Sequence, residues 1–243
     1  MMMIVAFADD CAAVDPEVAP DNFVYLTDVV PQIIESPRLF SMQNFLGRQA
    51  PGYIQPRMIC TREAARALNK VRQEVLAQGY NLVVYDAYRP QQAVREFKRW
   101  SQDLSDQITK DLYYPTNDKR DLFKLGYIVE KSSHSRGSTF DLTLIPVGQS
   151  LKEITVSTRI LSNGQAIPFL DDGTLDMGSS FDLFHEASHH DSPLVFPGSL
   201  QRREILRTAM ENAGFRGIDE EWWHYTLADE PYSNTYFDFV DLE

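Results

Sequence analysis

Two stretches of the 243-residue chain carry side chains whose types and spacing suit chemistry. One is Ser132-Ser133-His134-Ser135-Arg136-Gly137-Ser138-Thr139-Phe140-Asp141; the other is Glu221-Trp222-Trp223-His224. Together they offer two imidazoles and a carboxylate, His134, His224 and Asp141, with a second carboxylate, Glu221, just before the last imidazole. Zinc accepts His nitrogen and Asp oxygen, and a catalytic zinc keeps three protein ligands and one open position. The expected cofactor is therefore one Zn2+ per chain. Positions seven apart on a flat strand face opposite ways. Gly137 permits a turn that breaks the period between His134 and Asp141. Spacing alone is a weak signal, and the alternative is a solvated loop histidine beside a strand-edge aspartate.

Glu221 sharpens the pattern. A zinc-activated water still needs a base to take its proton. A glutamate near a ligand, but not itself bound, fills that role, and a tight turn would bring Glu221 and His224 to one side. Trp222 and Trp223 would then close the site against water; the alternative is an edge of the hydrophobic core with Glu221 solvated. Arg89, held by Pro90 at the end of an apolar run, could stabilise a developing oxyanion. A structural ion pair is the competing role. His185-Glu186-Ala187-Ser188-His189 has the form H-E-x-x-H, which binds zinc only on a sustained helix. His190-Asp191-Ser192-Pro193 follows it and disfavours a helix. An exposed polar loop is the expectation there.

These residues need elements to position them. The length suits one sizeable core. The predicted organisation is an N-terminal extension over residues 1–20 of uncertain order, then a single domain over 21–243. Residues 9–60 are proline-punctuated and expected to wrap a core, with Phe23–Leu26 as a short strand. Thr61 reads as an N-cap for a helix bearing Ala64, Ala65, Leu68, Val71 and Val75, up to Gly79. Asn81–Asp86 is a buried strand, and Gln91 to about Leu104 a second helix with Val94, Phe97, Trp100 and Leu104 inward. Residues 105–131 look polar and irregular. Thr139–Ile145 alternates as a strand. Residues 146–198 read as inserted loops and short strands that could wall a substrate pocket. A last helix is expected from about Leu200 to Ala213, capped by Ser199 and stopped by Gly214, with Glu221–Thr226 as the final strand. The fold class is α+β, with a small, mostly antiparallel sheet flanked by helices.

The charge balance is −12, with 35 acidic against 23 basic residues. That argues against nucleic acid or an anionic membrane as partner. The apolar opening, Met1–Ala8, has no Lys or Arg before it and is a poor secretory signal. Localisation is left open between cytoplasm and periplasm. Cys11 and Cys60 have no metal spacing, and a disulfide or two free thiols are equally compatible.

Ser-x-His-x-x-Gly-x-x-x-Asp with Glu-x-x-His resembles the zinc D-alanyl-D-alanine peptidases of the hedgehog-like superfamily. Asp86–Pro90, Ser132–Ser138, Asp176–Asp182 and Glu221–His224 are similar, in family order, to the D-Ala-D-Ala dipeptidases of the vancomycin-resistance (VanX) type. The resemblance implies a hedgehog/DD-peptidase-like fold and a bacterial zinc hydrolase of a small dipeptide connected with peptidoglycan. It matches His134, Asp141 and His224 to the metal ligands, Glu221 to the catalytic base and later proton donor, and Arg89 to the residue that stabilises the tetrahedral intermediate. Asp182 matches the block that binds the substrate's ammonium, and Ser133 is expected to contact the substrate. Thr139 departs from an alanine frequent in relatives, and the first 20 residues match nothing. A D,D-carboxypeptidase acting on peptidoglycan stems and a non-catalytic zinc-binding module are the alternatives; Glu221 and Arg89 are dispensable for merely holding metal. The oligomeric state, the exact dipeptide, and a role in antibiotic resistance or in wall recycling stay open.

Overall fold

A computed structural model describes residues 15–242. Nine strands and five α-helices follow in chain order. They are β1 (Phe23–Tyr25), α1 (Leu26–Val29), β2 (Ile34–Glu35), β3 (Ile59–Thr61), α2 (Arg62–Ala77), β4 (Tyr80–Asp86) and α3 (Gln91–Gln102). Then come α4 (Lys110–Tyr113), β5 (Thr139–Pro146), β6 (Thr155–Ile160), β7 (Ala166–Asp171), α5 (Pro197–Asn212), β8 (Phe215–Ile218) and β9 (Glu221–Leu227). The chain is α+β.

The central sheet has five strands in the order β2-β4-β5-β9-β8. Only the β2–β4 pair is parallel. β1 pairs with β3, and β6 with β7, as separate two-stranded sheets. Side chains alternate across a strand. Phe140, Leu142 and Leu144 of β5 therefore share one face with Leu82 and Val84 of β4, and α2 and α5 cover it. The apolar stripe of α2 supplies Ala64, Ala65, Leu68, Val71 and Val75 to this core. Each fully buried Val or Leu side chain there stabilises the fold by roughly 1.5–3 kcal/mol. Thr61 caps α2 by accepting the Ala64 N–H at 3.3 Å.

Several expectations need correction. The last helix starts at Pro197 with Phe196 as its cap, and Ser199 lies buried inside the first turn. Proline suits that first helical position because its missing N–H has no partner to lose. Leu104 lies beyond the end of α3 and is exposed. Residues 105–131 are not merely polar: Tyr113, Tyr114, Leu122 and Ile128 pack with Phe97 and Trp100 into a second core. Leu39, Phe45, Leu46 and Ala50 join it, so the proline-rich segment builds core as well as wrapping it. Cys60 is fully buried. Cys11, the opening Met1–Ala8 and most of the N-terminal extension lie outside the described residues.

Candidate metal centre and active site

The ligand atoms are brought together by one ladder and one turn. In the β5–β9 pairing, Asp141 sits directly opposite His224. Cross-strand partners project to the same face, and this is the face away from α2 and α5. His134 comes from a single 3-10 turn, Ser133–Arg136, just before β5. Gly137 ends that turn at φ +85°, and a Cβ there would lie 2.3 Å from the Phe23 ring. Only glycine tolerates both the left-handed backbone and this close approach.

His134 Nε2, His224 Nδ1 and Asp141 Oδ1 form a triangle with each side 3.2 Å. The edge of a zinc tetrahedron with bonds of about 2.0 Å is about 3.3 Å. His134 Nδ1–H donates to the Ala87 carbonyl at 2.7 Å, which leaves the Nε2 lone pair facing the triangle. His224 Nε2 lies 3.1 Å from Ser133 Oγ, and with the ring proton on Nε2 that bond leaves Nδ1 likewise bare. With both rings in that tautomer, two imidazole lone pairs and a carboxylate oxygen converge, an arrangement that a bound cation relieves. The donor set fits a divalent metal. Among the described residues it is the one cluster of three such groups.

Two strand irregularities bring further groups to the same face. A register shift between Val84 and Asp86 sets Asp86 opposite Asp141. Another, where Ile218 pairs with Glu221, returns Glu221 to the side of His224, at 3.6 Å from Nδ1. The extended strand with this bulge replaces the tight turn expected from sequence. Arg89 Nε donates to Asp86 at 2.8 Å and Nη2 to Asp141 at 3.4 Å. Tyr53 OH donates to the other Asp86 oxygen at 2.8 Å, and Arg89 Nη1 to Ser132 Oγ at 3.4 Å.

Arg89, Ser133, Asp141, Asp182, Glu221 and His224 all line one cavity of about 260 Å³, open to solvent. Phe45, Phe97, Tyr127 and Phe184 form its apolar side. Burial raises the carboxyl of Glu221 well above its usual range, and Asp141 and Asp182 push it further. Asp182 is likewise raised, first by burial and then by Asp141. It is 7% exposed, and its carboxylate has no hydrogen-bond partner among the described residues. For Asp141, burial works upward, but His134 and then His224 outweigh it and hold the carboxyl below the usual range. Burial lowers the His224 imidazole. Burial also works to lower Arg89, but Asp86 and other acidic neighbours keep its guanidinium firmly charged.

Trp222 and Trp223 do not wall the cavity; both are buried in the main core, edge to face at 5.2 Å. The H-E-x-x-H stretch forms one 3-10 turn, Glu186–Ser188, and not a helix. His185 Nδ1 accepts the Ala187 N–H at 2.9 Å, and His189 faces the Tyr127 hydroxyl at 3.3 Å. The segment is also not an exposed loop, since His185, Ala187 and Ser188 are buried. Sequence reasoning passed over Tyr53, Asp86 and Ser132 as site residues. Asp86, a charge ending a buried strand, gave a signal; Tyr53 in a proline-rich loop gave none.

A family model described as D-ala-D-ala dipeptidase matches residues 20–152 and 150–241. The chain belongs to this family. Family membership makes it a hydrolase of the metallopeptidase class. It is 38% identical over 218 residues to a D-alanyl-D-alanine dipeptidase of Enterococcus faecium, covering 90% of this chain and 97% of the relative. It is 37% identical to the enzyme of that name from Enterococcus faecalis, covering 90% and 98%. A third, from Streptomyces coelicolor, is 34% identical over 90% and 97%. No helix among the described residues is long and apolar enough to cross a membrane.

Proposed function

We propose that the chain is a zinc-dependent D,D-dipeptidase that hydrolyses D-Ala-D-Ala to two D-alanines, with His134, Asp141 and His224 holding the metal. Bound there, zinc supplies Lewis acidity towards a peptide carbonyl and acidifies water towards a pKa of about 7. Glu221 takes the proton of the attacking water and returns it to the departing amine; its position 3.6 Å from His224 Nδ1 supports that role. Arg89 offers a fixed positive charge to the carbonyl oxygen as negative charge develops on it. Its anchorage on Asp86 means little reorganisation is needed at that moment.

The observation that carries the dipeptide reading is Asp182. A buried carboxylate facing the cavity without a partner is costly unless a cation meets it. The free ammonium of a dipeptide is such a cation, while a peptidoglycan stem presents a blocked nitrogen at that place. Ser133, bonded to His224, orients that ligand and stands at the cavity surface where substrate arrives. The test is turnover of D-Ala-D-Ala beside its N-acetyl derivative, with and without a chelator. Chelator-sensitive cleavage of the free dipeptide alone supports the proposal. Preferential cleavage of the acetylated form would favour a carboxypeptidase.

A further inference from the structure

Arg203 on α5 is fully buried, yet among the described residues it meets no carboxylate. All its donors go to one segment, residues 177–190, which follows β7 and carries Asp182. Nε donates to the Met177 carbonyl at 2.7 Å. Nη1 donates to the carbonyls of His189 and His190 at 2.6 and 3.2 Å. Nη2 donates to the Ala187 carbonyl at 2.8 Å and to Ser179 Oγ at 3.4 Å. Five N–H groups thus find five acceptors, the full capacity of a guanidinium. Burial pushes Arg203 down to about 9, the mark of a charge kept in an expensive place. A lone buried charge is seldom retained for stability, because an apolar side chain of similar size avoids its desolvation.

The acceptors fall into two groups, Met177 and Ser179 before Asp182, and Ala187 to His190 after it. Between them lies one short 3-10 turn, and outside it the backbone is tied at Phe184, whose N–H donates to the Tyr113 carbonyl at 2.7 Å and whose carbonyl accepts from Asn117 Nδ2 at 2.7 Å. Asp182 itself sits at φ +58°, the one non-glycine residue with positive φ among those described. Such a conformation costs about 1 kcal/mol or more and persists only where the surroundings fix it. Trp222 Nε1 donates to the same Ser179 hydroxyl at 3.0 Å, tying the segment to β9 next to Glu221.

We propose that Arg203 is a positioning residue for substrate affinity: by pinning both ends of residues 177–190 to α5, it holds Asp182 in the left-handed conformation that presents its carboxylate to the cavity. The proposal rests on the dipeptidase reading, in which that carboxylate receives the substrate's ammonium. Arg203→Lys keeps the charge but loses the planar fork. On D-Ala-D-Ala with the zinc-loaded enzyme, KM should rise about tenfold while kcat stays within about twofold. Zinc content should stay unchanged, and amide exchange should speed up in 177–190 but not in α2 or β5. If Arg203 acts through Asp182, the Arg203→Lys, Asp182→Asn double variant should have the KM of Asp182→Asn alone. Additive KM effects, or a fall in kcat or zinc content at unchanged KM, would overturn the proposal. If the parent enzyme left D-Ala-D-Ala intact, the dipeptidase reading would fail first. The exchange measurement would then decide the pinning, with unchanged exchange in 177–190 overturning it.

Discussion

Two imidazole nitrogens and a carboxylate oxygen meeting at 3.2 Å are the most demanding feature of the molecule. Each ligand is fixed by a second contact: His134 by the Ala87 carbonyl, His224 by Ser133, Asp141 by Arg89. Such outer partners set ring orientation and tautomer. Glu221 stands beside the triangle and is not one of its corners. Exchange of Glu221 for Gln should therefore lower kcat by roughly 10²–10⁴-fold. Zinc content, measured by metal analysis, should remain one per chain; loss of metal would move Glu221 into the ligand set. The residue types were legible in the sequence, because imidazole and carboxylate have a short list of joint uses. Asp86 showed only as a charge ending a buried strand and Tyr53 not at all, since their part in holding Arg89 appears once separate segments meet.

At the scale of elements, the site depends on interruptions as much as on regular structure. Without the two register shifts, Asp86 and Glu221 would follow strand alternation towards the helix-covered face. Gly137 is the third interruption. Gly137→Ala should destabilise the fold by about 2 kcal/mol or more, because the new methyl meets Phe23 at a backbone angle alanine avoids. Urea denaturation would read this, and zinc affinity should fall with it. At the edge of the same sheet, β2 carries Glu35, whose carboxyl is pushed up to about 7, chiefly by burial. Its Oε1 is buried without a partner among the described residues. The folded state thus binds this proton more tightly than the unfolded chain, and stability is lost as pH rises from about 4.5 through about 7. Glu35→Gln, which mimics the protonated form, should unfold at a higher temperature than the parent at pH 8. The gap should close towards pH 4.5; a gap constant with pH would exclude Glu35 as its source.

Across the whole molecule, the cavity lies between the sheet and the second core formed by α3 and residues 105–131. A third cluster, Phe23, Tyr88, Phe237 and Phe239, locks the C-terminal segment against the His134 turn. The Phe237 N–H donates to the Ser135 carbonyl there at 2.8 Å. A metal bridging that turn, β5 and β9 joins chain segments far apart in sequence, so binding it stabilises the folded state. Chelation should lower the melting temperature by several degrees as well as abolish turnover, and zinc should restore both; calorimetry on one sample reads the first effect. His185→Ala and His189→Ala should leave zinc content unchanged, whereas depletion by either would relocate the metal to that turn.

By itself the sequence determined the local vocabulary. Apolar periodicity placed α2, β4, α3, β5 and β9, because burial of one face is written into every few residues. Residue chemistry named His134, Asp141, His224, Glu221 and Arg89, and the block Asp176–Asp182 pointed to Asp182. Tertiary structure decided which of the two histidine motifs converges, since H-E-x-x-H needs a helix that its neighbours refuse and H-x6-D needs the β5–β9 register, which only long-range pairing sets. It also decided the bulges, the aromatic lock on the C-terminal segment and the Arg203 clamp. These are contacts between distant segments, settled by packing and hydrogen-bond satisfaction, to which local pattern is blind.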